Sequence, residues 1–168
     1  MLAGPALGVL LGYGLALFLR SDGQAAPRAK KNSGAKRVAA SWGDAPLPPG
    51  TELKLMLVVR EDLGMSAGKV GAQCAHAAVG IVEKLRGKKD ALLDAWAACG
   101  QTKICVKADD MAAFVELAKA ANAAGLPVYV VQDAGRTEVE PGTHTVMAIG
   151  PGEVSAVNAV TSKLRLLK

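Results

Sequence analysis

The chain has 168 residues, a net charge of +5, three cysteines and two histidines. That length holds one ordinary domain plus an appendage. Cys74, Cys99 and Cys105 form no disulfide framework, and neither they nor the histidines have zinc-ligand spacing. No GxxxxGK(S/T) or GxGxxG sequence supports a nucleotide cofactor, so neither a metal nor a cofactor is expected.

Leu2 to Leu19 carries no charge and is rich in Leu, Ala and Gly. At roughly 1.5 Å of rise per residue, a helix of this run crosses most of a bilayer core of about 30 Å. A transmembrane anchor is therefore expected over residues 1–20. A secretory signal peptide wants cations ahead of its apolar core. Here Arg20, Arg28, Lys30, Lys31, Lys36 and Arg37 follow it, and by the positive-inside rule the carboxyl side faces the cytosol. A buried helix is the remaining alternative. Gly4, Gly8 and Gly12 recur every fourth residue, a spacing that permits close helix approach in lipid and hence a homodimer. Chance spacing explains them equally well.

Residues 21–50 mix Pro, Gly, Ala, Ser and Lys without apolar periodicity and read as a disordered basic tether. Residues 20–50 hold six Lys/Arg and two Asp/Glu, a net of +4, which leaves +1 for residues 51–168. Most of the excess charge thus belongs to the tether, which can adhere to anionic headgroups and is not by itself evidence for nucleic acid.

From Thr51 onward the patterns become regular, and residues 51–168 are expected to form the globular domain. Leu53 to Arg60 is nearly continuous in apolar residues, as a buried strand would be. Ser66 can cap a helix from about Gly68 to Arg86, and Asp90 to Cys99 suggests a shorter one. Thr102 to Val106 is a short β-type run. Asp109 can cap a helix through Ala123, which Gly125 and Pro127 end. Pro127 to Val131 and Thr145 to Ile149 read as strands, joined by a loop without helical pattern. A last helix is expected from Glu153 to about Thr161, and an edge strand from Leu164 to Leu167. Strands alternating with helices predict an α/β fold. The expected form is a three-layer α/β/α sandwich on a mixed, mostly parallel sheet of about four to five strands, preceded by one transmembrane helix.

Two constellations carry the chemistry. Advancing about 100° per residue along the first helix gathers Val70, Cys74, Ala77, Ala78, Ile81, Val82 and Leu85 on a core face. Lys69, Gln73, His76 and Gly80 gather in a second row, which lines a cleft or is simply solvated. Cys74 and His76, two residues apart, point to different sides of the helix and cannot form a nucleophile–base pair with each other. The second constellation is the loop Gln132-Asp133-Ala134-Gly135-Arg136-Thr137, at a strand end. Asp133 there is a catalytic residue or only a turn residue. Gly135 lets backbone come close to a ligand, Arg136 offers a planar fork for phosphate, and Thr137, Thr143 and Thr145 add hydroxyls. Two polar groups at strand ends suggest one site at the carboxyl edge of the sheet.

At these residues the chain resembles the type 2, archaeal and eukaryotic, family of peptidyl-tRNA hydrolases. The resemblance runs from about Glu52 to the carboxyl terminus, through LMLVVREDLGM, GKVGAQCAHAAVG and VVQDAGRTEVEPGTHTVMAIGPG. It implies an esterase that splits peptidyl-tRNA into peptide and free tRNA, on a small α/β domain that is often dimeric and needs no metal or organic cofactor. It maps the family's catalytic residues onto Lys69, Asp133, Thr137 and Thr145, with His76 in a less settled role. The apolar segment and basic tether are similar to those of eukaryotic members held at the mitochondrial outer membrane. One departure stands out: the family's KMGKGK reads GMSAGK here, so two lysines are absent, at Gly64 and Ala67. Their loss weakens phosphate attraction, which Lys84, Arg86, Lys88, Lys89, Lys103, Lys107 and Arg136 could offset if they converge.

Ester hydrolysis needs an activated water and a group that steadies the oxyanion. Asp133 is expected to orient or deprotonate the water, and Lys69 to stabilise the oxyanion or a ribose oxygen. Thr137 and Thr145 position water or substrate; His76 acts as base, stacks on the terminal adenine, or packs. Gln73, Gly135 and Arg136 are the expected substrate contacts. The alternatives are a non-catalytic tRNA-binding module and a membrane-tethered interaction protein on the same scaffold.

Overall fold

The computed structural model describes Leu47, Pro48 and residues 50–168. The expected span at residues 1–20 and nearly all of the tether at 21–50 lie outside the described residues. Among the described residues no helix is long and apolar enough to cross a membrane.

Leu53–Arg60 forms β1, and seven of its eight residues are buried, as a strand covered on both faces requires. A 3-10 turn, Glu61–Leu63, leads to α1, Ala67–Leu85, then α2, Asp90–Ala98. β2, Lys103–Ala108, is followed by α3, Met111–Ala123, and β3, Val128–Gln132. β4, His144–Glu153, runs directly into α4, Val154–Thr161, and β5, Arg165–Leu166, closes the chain. The cap of α3 is Asp110, whose side chain accepts the Ala113 N–H, and not the expected Asp109.

The five strands form one sheet in the order β3-β4-β1-β2-β5. It is mixed, but mostly antiparallel, which corrects the expectation of a mostly parallel sheet. Only β1–β2 is parallel; β1–β4, β3–β4 and β2–β5 are antiparallel. The physical reason is an insertion. β1, β2 and β3 run in one direction, as helical crossovers demand, but β4 turns back after β3 and slots between β3 and β1. That one insertion makes two neighbouring pairs antiparallel.

The same insertion sets up the site. The carboxyl ends of β1 and β3 and the amino end of β4 share one edge of the sheet, where α1 also begins. The four helices cover a core that includes Trp96, Phe114, Ile81, Met147 and Ile149, each at most 1 % exposed. Burial of a large apolar side chain contributes roughly 1.5–3 kcal/mol. Gly80 packs α1 against the sheet: a Cβ there would lie 2.2 Å from Cε1 of Tyr129.

Candidate active site

Ser66 starts α1: its side chain accepts the Lys69 N–H at 3.3 Å. Its own N–H and hydroxyl donate to the two carboxylate oxygens of Glu138, at 2.8 and 2.6 Å. Glu138 lies in the β3–β4 loop, so these bonds pin that loop to the helix start. They also hold the Glu138 carboxyl below its ordinary range, with the nearby Lys69 charge adding to the effect. A carboxylate suits this end of a helix dipole, where the Lys69 ammonium alone would be disfavoured.

Lys69 is answered by Asp133. Its Nζ donates to Asp133 Oδ2 at 2.5 Å, and the two side chains are 10 % and 8 % exposed. Gln73 Nε2 donates to the same oxygen at 2.7 Å, and the Gly135 N–H donates to Oδ1 at 2.8 Å. The Lys69 hydrogen bond foremost, with the Gly135 and Gln73 bonds, lowers the Asp133 pKa against the opposing pull of burial. The backbone of Asp133 is held as well: its N–H donates to Thr143 O at 2.9 Å and its carbonyl accepts the Gly142 N–H at 2.8 Å. Behind Gln73, the Thr145 hydroxyl donates to Oε1 at 2.7 Å, and Thr145 is fully buried.

The chain thus brings together Lys69, Gln73, Asp133, Gly135 and Thr145 from α1, the β3–β4 loop and β4. An ammonium against a carboxylate, both about nine-tenths buried, can hold a water and meet a developing negative charge. A family model described as "Peptidyl-tRNA hydrolase PTH2" matches residues 53–167. The chain belongs to the peptidyl-tRNA hydrolase 2 family.

Its relatives include "Peptidyl-tRNA hydrolase 2, mitochondrial" of Bos taurus, 42% identical over 98% of this chain and 88% of that protein. The protein so named in Homo sapiens is 39% identical, over 97% of this chain and 90% of its own. "Peptidyl-tRNA hydrolase" of Saccharolobus solfataricus is 40% identical over 68% of this chain and 99% of that protein.

In this member of the peptidyl-tRNA hydrolase 2 family, other expected residues stand apart from the pair. Arg136 and Thr137 are exposed on the loop, with no hydrogen bond to Asp133. His76 is exposed, about 10 Å along α1 from Lys69. The helical row therefore splits: Lys69, Gln73 and Gly80 turn inward, while His76 falls just outside the buried arc. Gly135 has φ +73°, and the room a side chain would need is filled by the Pro141 ring, with Cβ contacts of 2.4 Å. Burial, reinforced by the neighbouring Cys105, pushes the Cys74 thiol up to about 12, which suits a core residue and not a nucleophile.

The basic side chains do not converge at the site. Lys84 Nζ donates to Val128 O at 2.6 Å, Lys107 pairs with Glu61 at 2.6 Å, and Lys103 lies over the Trp96 ring at 4.6 Å. Arg86, Lys88 and Lys89 follow the far end of α1, about 25 Å from Lys69 along the axis. Sequence reasoning missed Glu138, an acidic loop residue without a motif around it, and missed that Gln73 and Thr145 bond each other. Among the described residues no group of three or more His, Cys, Asp or Glu could hold a metal ion.

Proposed function

We propose that this chain hydrolyses the ester bond of peptidyl-tRNA, releasing peptide and free tRNA, with Asp133 and Lys69 as its catalytic pair. The observation that carries the reading is the 2.5 Å contact between them at one edge of the sheet.

In this mechanism Asp133 accepts a hydrogen bond from water and aims it at the ester carbonyl carbon. A carboxyl held below its ordinary pKa is a weak base, so orientation is its main contribution. Lys69 steadies the oxyanion as the water oxygen adds. The bond from the carbonyl carbon to the ribose oxygen then breaks, and the water's proton ends on that oxygen. Gln73 fixes the carboxylate, and Thr145 acts through Gln73. Gly135 supports Asp133 through its N–H, Arg136 contacts phosphate, Thr137 contacts substrate from the open loop, and His76 offers a face to the terminal adenine. One helix pair on each face of the sheet would complete the three-layer sandwich, with α1 beside α2 and α3 beside α4.

For the remaining residues we propose a membrane anchor over 1–20, facing its catalytic domain to the cytosol at the mitochondrial outer membrane, then a basic tether over 21–50. Homodimer formation through Gly4, Gly8 and Gly12 belongs to the same proposal. Deleting residues 1–50 should release the chain from membranes and keep hydrolysis.

The deciding experiment incubates the purified chain with N-acetyl-aminoacyl-tRNA and follows deacylation. The expected result is turnover that Asp133→Asn and Lys69→Ala each reduce strongly while the fold survives. Binding of tRNA without deacylation would instead make the chain a tRNA-binding module, and normal deacylation by both variants would remove the site assignment.

A further inference from the structure

A hollow lies on the opposite side of the α1 start from Asp133. Its volume is about 630 Å³, well within the range of ligand sites. Val59, Met65, Val70, Cys74, Cys105 and Leu167 supply apolar wall, from β1, the turn before α1, α1 itself, β2 and the carboxyl-terminal segment. Nothing in the mechanism above uses it.

Its charges are nearly all answered within the protein. Arg60 makes a two-pronged contact with Asp62, at 3.0 and 2.5 Å. Lys107 binds Glu61 at 2.6 Å, and Glu61 also receives Arg165 at 2.7 Å. Lys168 is the rim cation without an ion-pair partner among the described residues. No aromatic ring lines the hollow. A single-stranded RNA end is bound by cations together with stacking rings, and this hollow has paired cations and no rings. Its chemistry suits a neutral, apolar ligand.

Location says which ligand. Lys69 and Gly71 are two residues apart and point from nearly opposite sides of α1. Between them on the exposed side stand Gly68 and Ala72, both small, and a Cβ on Gly68 or Gly71 would meet no atom within 4 Å. The helix is roughly 10 Å across. An extended peptide, at about 3.3 Å per residue, covers that in three residues. The substrate proposed for Lys69 and Asp133 has two arms joined at the ester, one RNA and one peptide. We propose that the hollow is the peptide-arm subsite, taking apolar side chains two to three residues before the esterified one. This rests on the hydrolase reading above.

The test uses the full chain and two substrates with the same tRNA and the same esterified glycine, N-acetyl-Leu-Leu-Leu-Gly-tRNA and N-acetyl-Gly-Gly-Gly-Gly-tRNA. The unaltered chain should favour the leucine substrate in kcat/KM by about tenfold, mainly through KM. Gly71→Leu fills the hollow from ordinary helical backbone and should erase most of that preference. Leu167→Asp, on a separate wall, should move it the same way. A preference absent from the unaltered chain, or unmoved within twofold by both folded variants, overturns the subsite while leaving hydrolysis standing. Weaker inhibition by deacylated tRNA in Gly71→Leu would assign the hollow to RNA and equally overturn it. Failure of the unaltered chain to cleave either substrate would overturn the hydrolase reading along with this one.

Discussion

Thr145, with no exposed surface, donates its hydroxyl proton to Oε1 of Gln73 at 2.7 Å. The direction follows from Asp133. An ionised carboxylate only accepts, so Gln73 must turn its Nε2 donor toward Asp133 and its oxygen toward Thr145. One buried hydroxyl thereby selects which way the amide faces. Thr145→Val keeps the volume and removes the donor. The expected outcome is a fall in kcat of tenfold or more with KM within twofold, and a stability loss of about 1 kcal/mol. Thr145→Ser should restore kcat, which separates positioning from packing. Steady-state kinetics and denaturant melts on the three proteins check it.

The ion pair itself is open to a double-mutant cycle. Lys69→Met leaves the Asp133 carboxylate mostly buried with only Gln73 and Gly135 to serve it. The expected cost is on the order of 3 kcal/mol, at the low end for breaking a buried pair because those two bonds remain. Asp133→Asn alone strands the ammonium. Adding Asp133→Asn to Lys69→Met should cost much less than the two single changes together, since the uncompensated charge is then gone. All three variants should lose hydrolysis. Additive stability losses would mean that the two groups do not interact.

Much of this site is legible in the sequence, and the rest is hidden for identifiable reasons. Helical spacing places Lys69 and Gln73 on one face, and a strand end marks Asp133. His76 shares the predicted row yet sits outside, because spacing fixes angles and not which arc the sheet will cover. The direction of β1, β2 and β3 follows from their crossovers. Their neighbours do not, because β4 pairs with β1 through contacts such as Leu57 with Ala148, a long-range choice with no local signal. Glu138 is likewise remote, 72 positions from the Ser66 it bonds.

Acid should separate stability from activity. Burial, with the Arg60 charge, lowers the His144 pKa below its ordinary 6.5. The folded state therefore binds this proton less readily than the unfolded chain, and stability declines as pH drops below about 6.5. Asp133 is depressed below 3.8. Its stabilisation is complete above that value and is lost only as pH falls through its still lower folded value. Melting temperature should thus begin to fall near pH 6, and His144→Gln should remove that step. The acid limb of kcat/KM that belongs to Asp133 should lie below about pH 4. Gln73→Glu sets a second carboxylate against Asp133, and that limb should then move upward toward neutrality.

Salt should act on encounter more than on chemistry. Arg136 is exposed on the loop that carries Asp133, whereas Lys84, Lys103 and Lys107 are engaged with protein groups. A plot of log kcat/KM against log salt should slope downward, with kcat nearly flat. Arg136→Ala should reduce the slope by about 0.7–1, the increment for one phosphate contact. A wild-type slope of zero would remove the phosphate contacts from the scheme.

Two glycines of α1 should respond in opposite ways to the same substitution. Gly71 faces open space, so Gly71→Ala should stabilise the helix by up to about 1 kcal/mol. Gly80 is buried against Tyr129, whose Cε1 would lie 2.2 Å from the new Cβ. The Tyr129 ring, carried by β3, must shift before the new methyl fits, so the propensity gain is outweighed, and Gly80→Ala should destabilise by roughly 1–3 kcal/mol. A smaller ring partner should relieve the clash: Gly80→Ala with Tyr129→Val should be more stable than Gly80→Ala with Tyr129 retained. If Gly80→Ala instead matches Gly71→Ala in a chemical melt, the close approach of α1 to β3 is not what holds this glycine in place.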